Sequence, residues 1–277
     1  YYFWQMDDLE LIETPLNIIE IEDVVVGGFW IDYANYSGSG LNTIIGLDYT
    51  VTPTSQLANH PYVIEGVLRN SGANDQMTTL KYEVYGASGS YSGASIATNV
   101  SANSAINNID SMVVAANPSL SPVVGNYGVS IWAESDSSGV IIATSDTVLR
   151  GIEISDYIYA KDNGTDINGD PDGNWIVGGP DDQWHFTTRF EMYADEQLTS
   201  LRTYISDESV AGAEIKAIVY ELDTTISNAD GGVILLNESD NYTITAQDLG
   251  AWVDIPFADP VDLYNGYAYE VGIAGFV

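Results

Sequence analysis

The chain lacks cysteine and has very few cations. Its 277 residues include 40 Asp and Glu but only 7 Lys and Arg, which gives a formal net charge of −33 at pH 7. Without disulfides, the fold must be held by its hydrophobic core and by any metal that it binds. The charge argues against nucleic-acid binding, because phosphates would be repelled rather than neutralised. Such repulsion also destabilises a compact chain unless salt screens it or divalent cations bind, so the composition predicts an extracellular protein.

Membrane spans and the common catalytic motifs are also missing from the sequence. No apolar run approaches the roughly 20 residues of a membrane span. The nucleophile elbow, the zinc-binding HExxH motif and the phosphate-binding loop are all absent. His60 precedes a proline in a turn-like stretch and is expected at the surface, whereas His185 lies in an alternating strand that predicts packing or a hydrogen bond. Two carboxylates suffice for a glycosidase, but their abundance is no evidence for one, and we predict no enzymatic activity.

The remaining residues predict an all-β protein with a large core. Hydrophobic residues make up 45% of the chain and aromatic residues 11%, which excludes a disordered acidic tail. Short segments rich in β-branched and aromatic residues are separated by clusters of Gly, Asn, Asp and Ser, as strands and turns require. A helical period of 3.6 is hard to find over any useful length. The clearest predicted strands are residues 81–85, 128–132, 140–143, 191–193, 201–205, 214–221, 252–257 and 267–271.

Both ends of the chain predict a segment of a longer protein. Residues 2–11 indicate a strong aromatic strand, but Thr14-Pro15 follows at once and nothing upstream is left to pair with it. The chain opens at Tyr1 without Met or a basic signal region, and it stops directly after a strand at Val277. We therefore expect residues 1–15 to be the terminal strand of a preceding module.

Residues 16–151 are predicted to form a first β-sandwich. The segment from Tyr62 to Gly72 indicates a strand that ends in an Asn-Ser-Gly turn, and Tyr127 begins a late strand, as in the tyrosine corner of immunoglobulin-like sandwiches. Through these two elements, residues 55–150 resemble the bacterial cell-adhesion-related immunoglobulin-like domains. The resemblance implies a spacer or adhesion module rather than an active site.

Residues 152–277 are predicted to form a second, truncated β-sandwich that begins with a strand at 152–159. The segments 249–257 and 261–269 resemble jelly-roll modules of large secreted Bacteroidota proteins, and residues 2–11 resemble the final strand of such modules. The resemblance implies an immunoglobulin-like sandwich followed by a jelly-roll-like sandwich within a multidomain secreted or cell-surface protein.

An acidic, glycine-rich loop is the strongest candidate for a metal site. Side-chain oxygens recur at every second position, and calcium binds six to eight oxygen ligands in a flexible loop. The first half of an EF-hand loop is matched, but Gly179 stands where its bidentate Glu would be. The alternative is a solvated loop in a very acidic protein. The candidate ligands are Asp162, Asp166, Asn168, Asp170 and Asp172.

Two further groups of residues are weaker candidates for sites. Asp7 and Asp8 are possible ligands of a structural ion, because their strand resembles the last strand of jelly-roll carbohydrate-binding modules, where such an ion is often held. A simple pair of exposed carboxylates at a strand end is the favoured interpretation. Aromatic residues in Gly-rich or acidic surroundings could stack on sugar rings, above all Trp175, but such rings normally pack into cores. The other aromatic residues of this group are Trp30, Tyr33, Tyr36 and Trp184.

Together these features predict a non-enzymatic structural or adhesive component of an extracellular bacterial surface protein, stalk or filament, stabilised by calcium. Its expected partners are neighbouring modules, identical subunits or surface glycans, with no nucleic acid and no membrane span. One alternative is a carbohydrate-binding accessory module of a secreted enzyme. Another is a halophilic protein whose acidity maintains solubility in concentrated salt.

Overall fold

The chain folds almost entirely into β-strands. A computed structural model describes residues 14–32, 44–60, 62–87, 89–102, 112–116, 123–161, 184–223 and 232–276. Within these ranges the regular elements are nineteen strands and one single-turn helix, which confirms the all-β prediction. No helix in the described part is long and apolar enough to cross a bilayer. The chain divides into two compact units, unit 1 (Tyr1–Thr54 and Pro61–Asp162) and unit 2 (Ser55–His60 and Asn163–Val277).

Unit 1 contains two main sheets and a separate strand pair. The sheet β1-β5-β9 is antiparallel, and the larger sheet β4-β12-β10-β6-β7 carries β11 beside β10 and β8 beside β6. Strands β2 and β3 pair with each other, and β4 runs parallel to β12. The strands are β1 (Ile19–Val26), β2 (Phe29–Asp32), β3 (Ile44–Leu47), β4 (Val51–Pro53), β5 (Ile64–Asn70), β6 (Gln76–Gly86), β7 (Gly89–Ala94), β8 (Thr98–Val100), β9 (Met112–Ala116), β10 (Gly125–Ser137), β11 (Val140–Thr144) and β12 (Val148–Ser155).

The core of unit 1 follows the two-residue period of its strands. Leu80, Tyr82 and Val84 of β6 are buried in alternation, as expected for a strand with one face on the core. Strand β5 approaches β6 so closely at Gly66 that a Cβ there would lie 2.9 Å from Leu80 Cδ1. A larger residue at position 66 would therefore require the buried Leu80 side chain to shift.

Tyr127 has the contact that its predicted tyrosine corner requires. Its side chain is buried near the start of β10, and its hydroxyl donates a 2.7 Å hydrogen bond to the backbone carbonyl of Val123, four residues upstream. The buried hydroxyl is thereby satisfied, and the chain entering β10 is fixed to the strand.

The predicted boundary between residues 151 and 152 falls inside β12. In the structure Ile152 lies opposite Tyr127 of β10, and Ile154 lies opposite Gly125. Ile152 to Ser155 therefore belong to unit 1 rather than opening a second domain, because backbone pairing with β10 holds them there. The predicted strand also ends earlier than expected, at Ser155.

Unit 2 has a five-stranded main sheet and a two-stranded second sheet. The main sheet has the order β13-β19-β15-β16, with β17 beside β15, and the second sheet pairs β14 with β18. Met192 and Tyr193, predicted to lie in a strand, instead form the connection between β13 and β14. The elements are β13 (Trp184–Glu191), β14 (Glu196–Ile205), β15 (Glu214–Asp223), β16 (Gly232–Glu238), β17 (Tyr242–Thr243), β18 (Ala251–Leu263) and β19 (Ala268–Phe276), together with Ser55 to Leu57 of the helix α1 (Thr54–Leu57).

The segment 55–60 packs on the connection between β13 and β14. The fully buried amide of Gln56 accepts hydrogen bonds from the backbone N–H groups of Tyr193 (2.8 Å) and Ala194 (3.1 Å), and donates to the carbonyl of Ala194 (3.1 Å). His60 stacks on the ring of Tyr193 with a centroid distance of 4.3 Å. His60 is thus buried, and the prediction of a surface position is wrong because its ring covers an aromatic face.

Asn70 joins several segments of unit 1 at the end of β5. Its buried amide nitrogen donates to the carbonyls of Asn74 (2.8 Å) and Val100 (2.9 Å). Its amide oxygen accepts from the backbone N–H of Gly72 (3.0 Å) and from Gln76 Nε2 (2.6 Å). The amide thus makes four hydrogen bonds, the full number available to an Asn side chain. The bond to Gly72 closes the predicted Asn-Ser-Gly turn.

Asn70→Ala is expected to destabilise unit 1 by about 2–4 kcal/mol, because it leaves several buried partner groups without their hydrogen bonds. Urea unfolding followed by tryptophan fluorescence measures the change. Asn74→Ala is the matched control, since that exposed side chain makes one 3.5 Å hydrogen bond, to Asn17, and we expect a loss below about 0.5 kcal/mol. Equal losses in the two variants would contradict the central role of the Asn70 amide.

Candidate functional site

The residues predicted to bind calcium lie outside the described part of the chain. This applies to Asp162, Asp166, Asn168, Asp170 and Asp172. Within the described residues, no group of three or more His, Asp or Glu side chains is arranged to hold a metal ion. The calcium site therefore stays a prediction.

Most of the aromatic candidates also lie outside the described residues, together with Asp7 and Asp8. Trp175, Tyr33 and Tyr36 belong to this group. Trp184 is described: it begins β13 and contacts Phe186 edge to face at 5.1 Å between ring centroids. His185 makes a 2.5 Å hydrogen bond through Nδ1 to the hydroxyl of Tyr220, which confirms the expected hydrogen bond.

The β14–β18 sheet of unit 2 has one face on the core and one face in solvent. Strand β18 alternates strictly over its first seven residues, with Val253, Ile255 and Phe257 buried and the intervening side chains exposed. An antiparallel sheet with one solvated face shows this pattern. The outward side chains of the two strands therefore lie on one side of the sheet, which we call the outer face. It comprises Gln197, Arg202 and Tyr204 of β14 and Trp252, Asp254, Pro256 and Asp262 of β18.

An aromatic pair occupies one end of the outer face. Tyr204 lies directly opposite Trp252 in the strand register, and their rings meet edge to face with centroids 5.6 Å apart and planes at 70°. Trp252 is 37% exposed, a large fraction for a tryptophan that already contacts a neighbouring ring. The edge-to-face contact fixes the orientation of both rings while leaving apolar ring surface accessible to a ligand.

A planar ion pair follows two residues along the strands from the aromatic pair. Arg202 donates from Nε to Asp254 Oδ1 and from Nη2 to Asp254 Oδ2, both at 2.8 Å. The guanidinium hydrogen bonds hold the pKa of the Asp254 carboxyl below its usual range, so the carboxylate stays charged. Both side chains are more than half exposed, so the pair adds little stability. Its effect is to hold donors and acceptors in a fixed plane beside the aromatic rings.

A second polar pair extends the outer face further along the same strands. Gln197 donates from Nε2 to Asp262 Oδ1 at 2.8 Å, and the two residues lie opposite each other in the register. Between this pair and Arg202 the register shifts, because Thr199 of β14 and residues 257–260 of β18 are left unpaired. The outer face thus combines stacking surface with hydrogen-bond donors and acceptors that are fixed by neighbouring side chains.

The electrostatics of the chain restrict what the outer face can bind. All seven Lys and Arg residues lie in the described part, and each has a specific contact. Lys161 lies over the ring of Tyr49, with Nζ 4.6 Å from the centroid, while the others contact carboxylates. With every cation engaged and a net charge of −33, an anionic ligand would meet repulsion. The carboxylate partners are Glu22 for Arg69, Glu134 for Lys81, Asp23 and Asp48 for Arg150, Glu191 for Arg189, Asp254 for Arg202 and Glu238 for Lys216.

The sequence predicts both strands of the outer face, but it does not predict that they pair with each other. Residues 201–205 and 252–257 were each predicted as strands, and the alternation of Trp252, Asp254 and Pro256 with apolar residues marks an outward row. The register that brings Tyr204 beside Trp252 depends on pairing between segments almost 50 residues apart, which no local pattern specifies.

Comparison with known proteins returns no match: neither a protein-family model nor a curated protein matches this chain. The likeness to cell-adhesion-related immunoglobulin-like domains and to jelly-roll modules therefore rests on the sequence motifs alone. Fold class does not determine function, so the function must be inferred from particular surfaces of this chain, such as the outer face, and from its charge.

Proposed function

We propose that this chain is a non-enzymatic adhesive component of an extracellular bacterial surface protein and that its outer face binds a neutral glycan. The observation that carries the proposal is the Tyr204–Trp252 pair, in which Tyr204 is half-buried and Trp252 is exposed, beside the fixed Arg202–Asp254 pair. Aromatic rings stack on the apolar faces of sugar rings, while planar polar side chains bond to sugar hydroxyls. A strip of this composition along two paired strands suits an extended saccharide.

The class of ligand follows from charge as well as from shape. An acidic surface disfavours sulfated or uronic glycans and nucleic acids, since each would add negative charge beside a chain of net charge −33. Neutral sugars do not meet this repulsion, and they accept and donate hydrogen bonds to the ion-paired groups that the outer face presents. A neutral oligosaccharide is therefore the favoured ligand.

The surface-protein role is supported by composition and by architecture. A cysteine-free chain of two all-β units does not depend on disulfides, and it can serve as a spacer within a stalk or filament. We propose an extracellular location, where salt and calcium counter the repulsion among carboxylates. Calcium would be held by the acidic loop at Asp162 to Asp172, which supplies the oxygen ligands that this ion requires.

A carbohydrate-binding accessory module of a secreted enzyme is the second candidate, and the same aromatic pair favours it. The two roles differ in the expected ligand. An accessory module binds the polysaccharide that its attached enzyme cleaves, whereas an adhesive module binds glycans of a surface to which the cell attaches. A glycan array that contains both classes separates the two functions.

Trp252→Ala and Tyr204→Ala are each expected to weaken glycan binding by about tenfold or more, equivalent to about 1.4 kcal/mol, because each removes stacking surface. Binding of the wild type is first located on an array of neutral and anionic glycans and is then measured by calorimetry. Tyr264→Ala/Tyr267→Ala is the control, since this exposed pair, with ring centroids 6.3 Å apart, lies outside the outer face. Trp175→Ala is included to test the site predicted from sequence.

The glycan proposal fails if the outer-face variants bind like the wild type, or if the control loses affinity equally. Loss of binding in Trp175→Ala alone would move the site to the acidic loop. Circular dichroism spectra of all variants must be unchanged for these comparisons to be valid.

Calcium is expected to raise the melting temperature of the wild type relative to EDTA, because ion binding to the folded state shifts the unfolding equilibrium. The measurement is thermal unfolding in high NaCl, which screens general charge effects. Asp170→Ala/Asp172→Ala should lose the increase, whereas Asp240→Ala/Asp259→Ala, which removes the same charge from exposed positions, should retain it. An identical melting temperature in calcium and EDTA would favour salt adaptation as the origin of the acidity.

A further inference from the structure

The outer face carries side chains suited to ligand binding at both ends of the β14–β18 ladder, which runs from Glu196 to Ile205 of β14. The aromatic pair described above lies one residue from the Ile205 end. At the other end, one residue from Glu196, Gln197 lies opposite Asp262 and donates to its Oδ1 at 2.8 Å. A ligand that stacks on the aromatic rings therefore meets further side chains of these two strands in one direction only.

The Gln197–Asp262 pair keeps hydrogen-bonding capacity for a ligand. Both side chains are exposed, and their mutual bond uses one N–H of the amide and one carboxylate oxygen. In the part of the chain that the structure describes, no other group bonds to either side chain. The amide oxygen Oε1, the second amide N–H and Asp262 Oδ2 thus remain for a ligand. Sugar hydroxyls, which both donate and accept, match this set of groups.

The two ends of the outer face are too far apart for a small sugar to reach both. Tyr204 and Gln197 are seven residues apart on β14, which corresponds to roughly 23 Å of extended strand. A disaccharide that stacks on the aromatic pair can reach the Arg202–Asp254 pair, which follows two residues along the strands, but it ends well short of Gln197. An oligosaccharide that lies along the strands can contact both ends.

We propose that the outer face binds a linear neutral oligosaccharide along its length and that the Gln197–Asp262 pair is the contact that selects for chain length. The proposal rests on the glycan-binding function proposed above and adds to it the size and course of the ligand. Once one unit is stacked on Trp252, the far units of the same chain are held near Gln197, so the second contact forms at a high effective concentration. A chain too short to span both contacts gains nothing from the second. Affinity should therefore rise in a step at the spanning length and stay constant beyond it.

The course of the contacts along one pair of strands also selects the shape of the chain. A β-1,4-linked chain of sugars with equatorial hydroxyls is extended, so it can follow the strands from the aromatic pair to Gln197. An α-1,4-linked glucose chain coils and leaves the strands after a few units. The ligand class is therefore a neutral β-1,4-linked oligosaccharide, and α-1,4-linked glucose oligomers should show no step in affinity with length.

Calorimetric titration of the whole chain with β-1,4-linked oligomers of glucose, mannose and xylose, from one to eight units, tests the proposal, with ligand-observed NMR for the weakly bound short oligomers. In at least one series, wild-type affinity should rise at least tenfold between the disaccharide and the hexasaccharide. Gln197→Ala should weaken hexasaccharide binding about fivefold, the effect of losing a neutral hydrogen bond, and leave disaccharide binding unchanged. Asn241→Ala is the matched control, because exposed Asn241 also donates to a carboxylate, Glu214 Oε2 at 2.8 Å, outside the outer face. It should bind every length like the wild type.

Trp252→Ala separates this inference from the glycan proposal itself, because it removes the first contact and should weaken binding of every oligomer length. If Trp252→Ala weakens binding but affinity does not depend on length, or Gln197→Ala has no effect, length selection is overturned while glycan binding stands. Equal losses in Gln197→Ala at all lengths, the same step with α-1,4-linked glucose, or no binding of any β-1,4-linked series would also overturn it. The far-ultraviolet circular dichroism of the variants verifies that they fold.

Discussion

Repulsion among carboxylates is the constraint on which the rest of this structure depends. With 40 acidic residues and 7 cations, a carboxylate placed in the core would lose its hydration without a partner to replace it. In the described part, the buried polar side chains are accordingly neutral amides and hydroxyls, together with His60, and none is Asp, Glu, Lys or Arg. Uncharged polar side chains therefore make the hydrogen bonds of the interior, and the acidic and basic side chains lie nearer the surface.

The amides of Asn70 and Gln56 show how this interior is organised. Asn70 lies at the end of β5 and Gln56 lies in α1, and each bonds to backbone groups of other segments. A neutral amide can both donate and accept, so one side chain closes a turn and joins distant segments. Asp48 shows what happens when a carboxylate lies deeper. Burial raises its pKa, although the N–H of Val26 and the guanidinium of Arg150 oppose the shift.

Because the chain has few cations, the exposed position of Arg202 is notable. Six of the seven cations contact carboxylates, and the seventh lies over an aromatic ring. Arg202 is nevertheless more than half exposed to solvent, next to Tyr204 and Trp252. An exposed ion pair contributes little to stability, and this is consistent with the binding role proposed for the outer face.

Local sequence patterns predicted the strands well and their partners poorly. Alternation and β-branched residues located the segments at 81–85, 128–132 and 214–221, because these features act over a few residues. The Asn-Ser-Gly turn and the Tyr127 corner were predictable for the same reason. The burial of His60 and the pairing of Tyr204 with Trp252 were not, because both depend on contacts between distant segments. The pairing of Ile152 with Tyr127 corrected the predicted boundary on the same grounds.

The most direct test of the central claim is the dependence of folding stability on salt. If surface repulsion opposes folding and the interior carries no buried ion pairs, the free energy of unfolding in urea should rise steadily between 0.05 M and 1 M NaCl. The slope of this free energy against urea concentration should stay unchanged. A free energy of unfolding that stays constant or falls as salt increases would contradict the account.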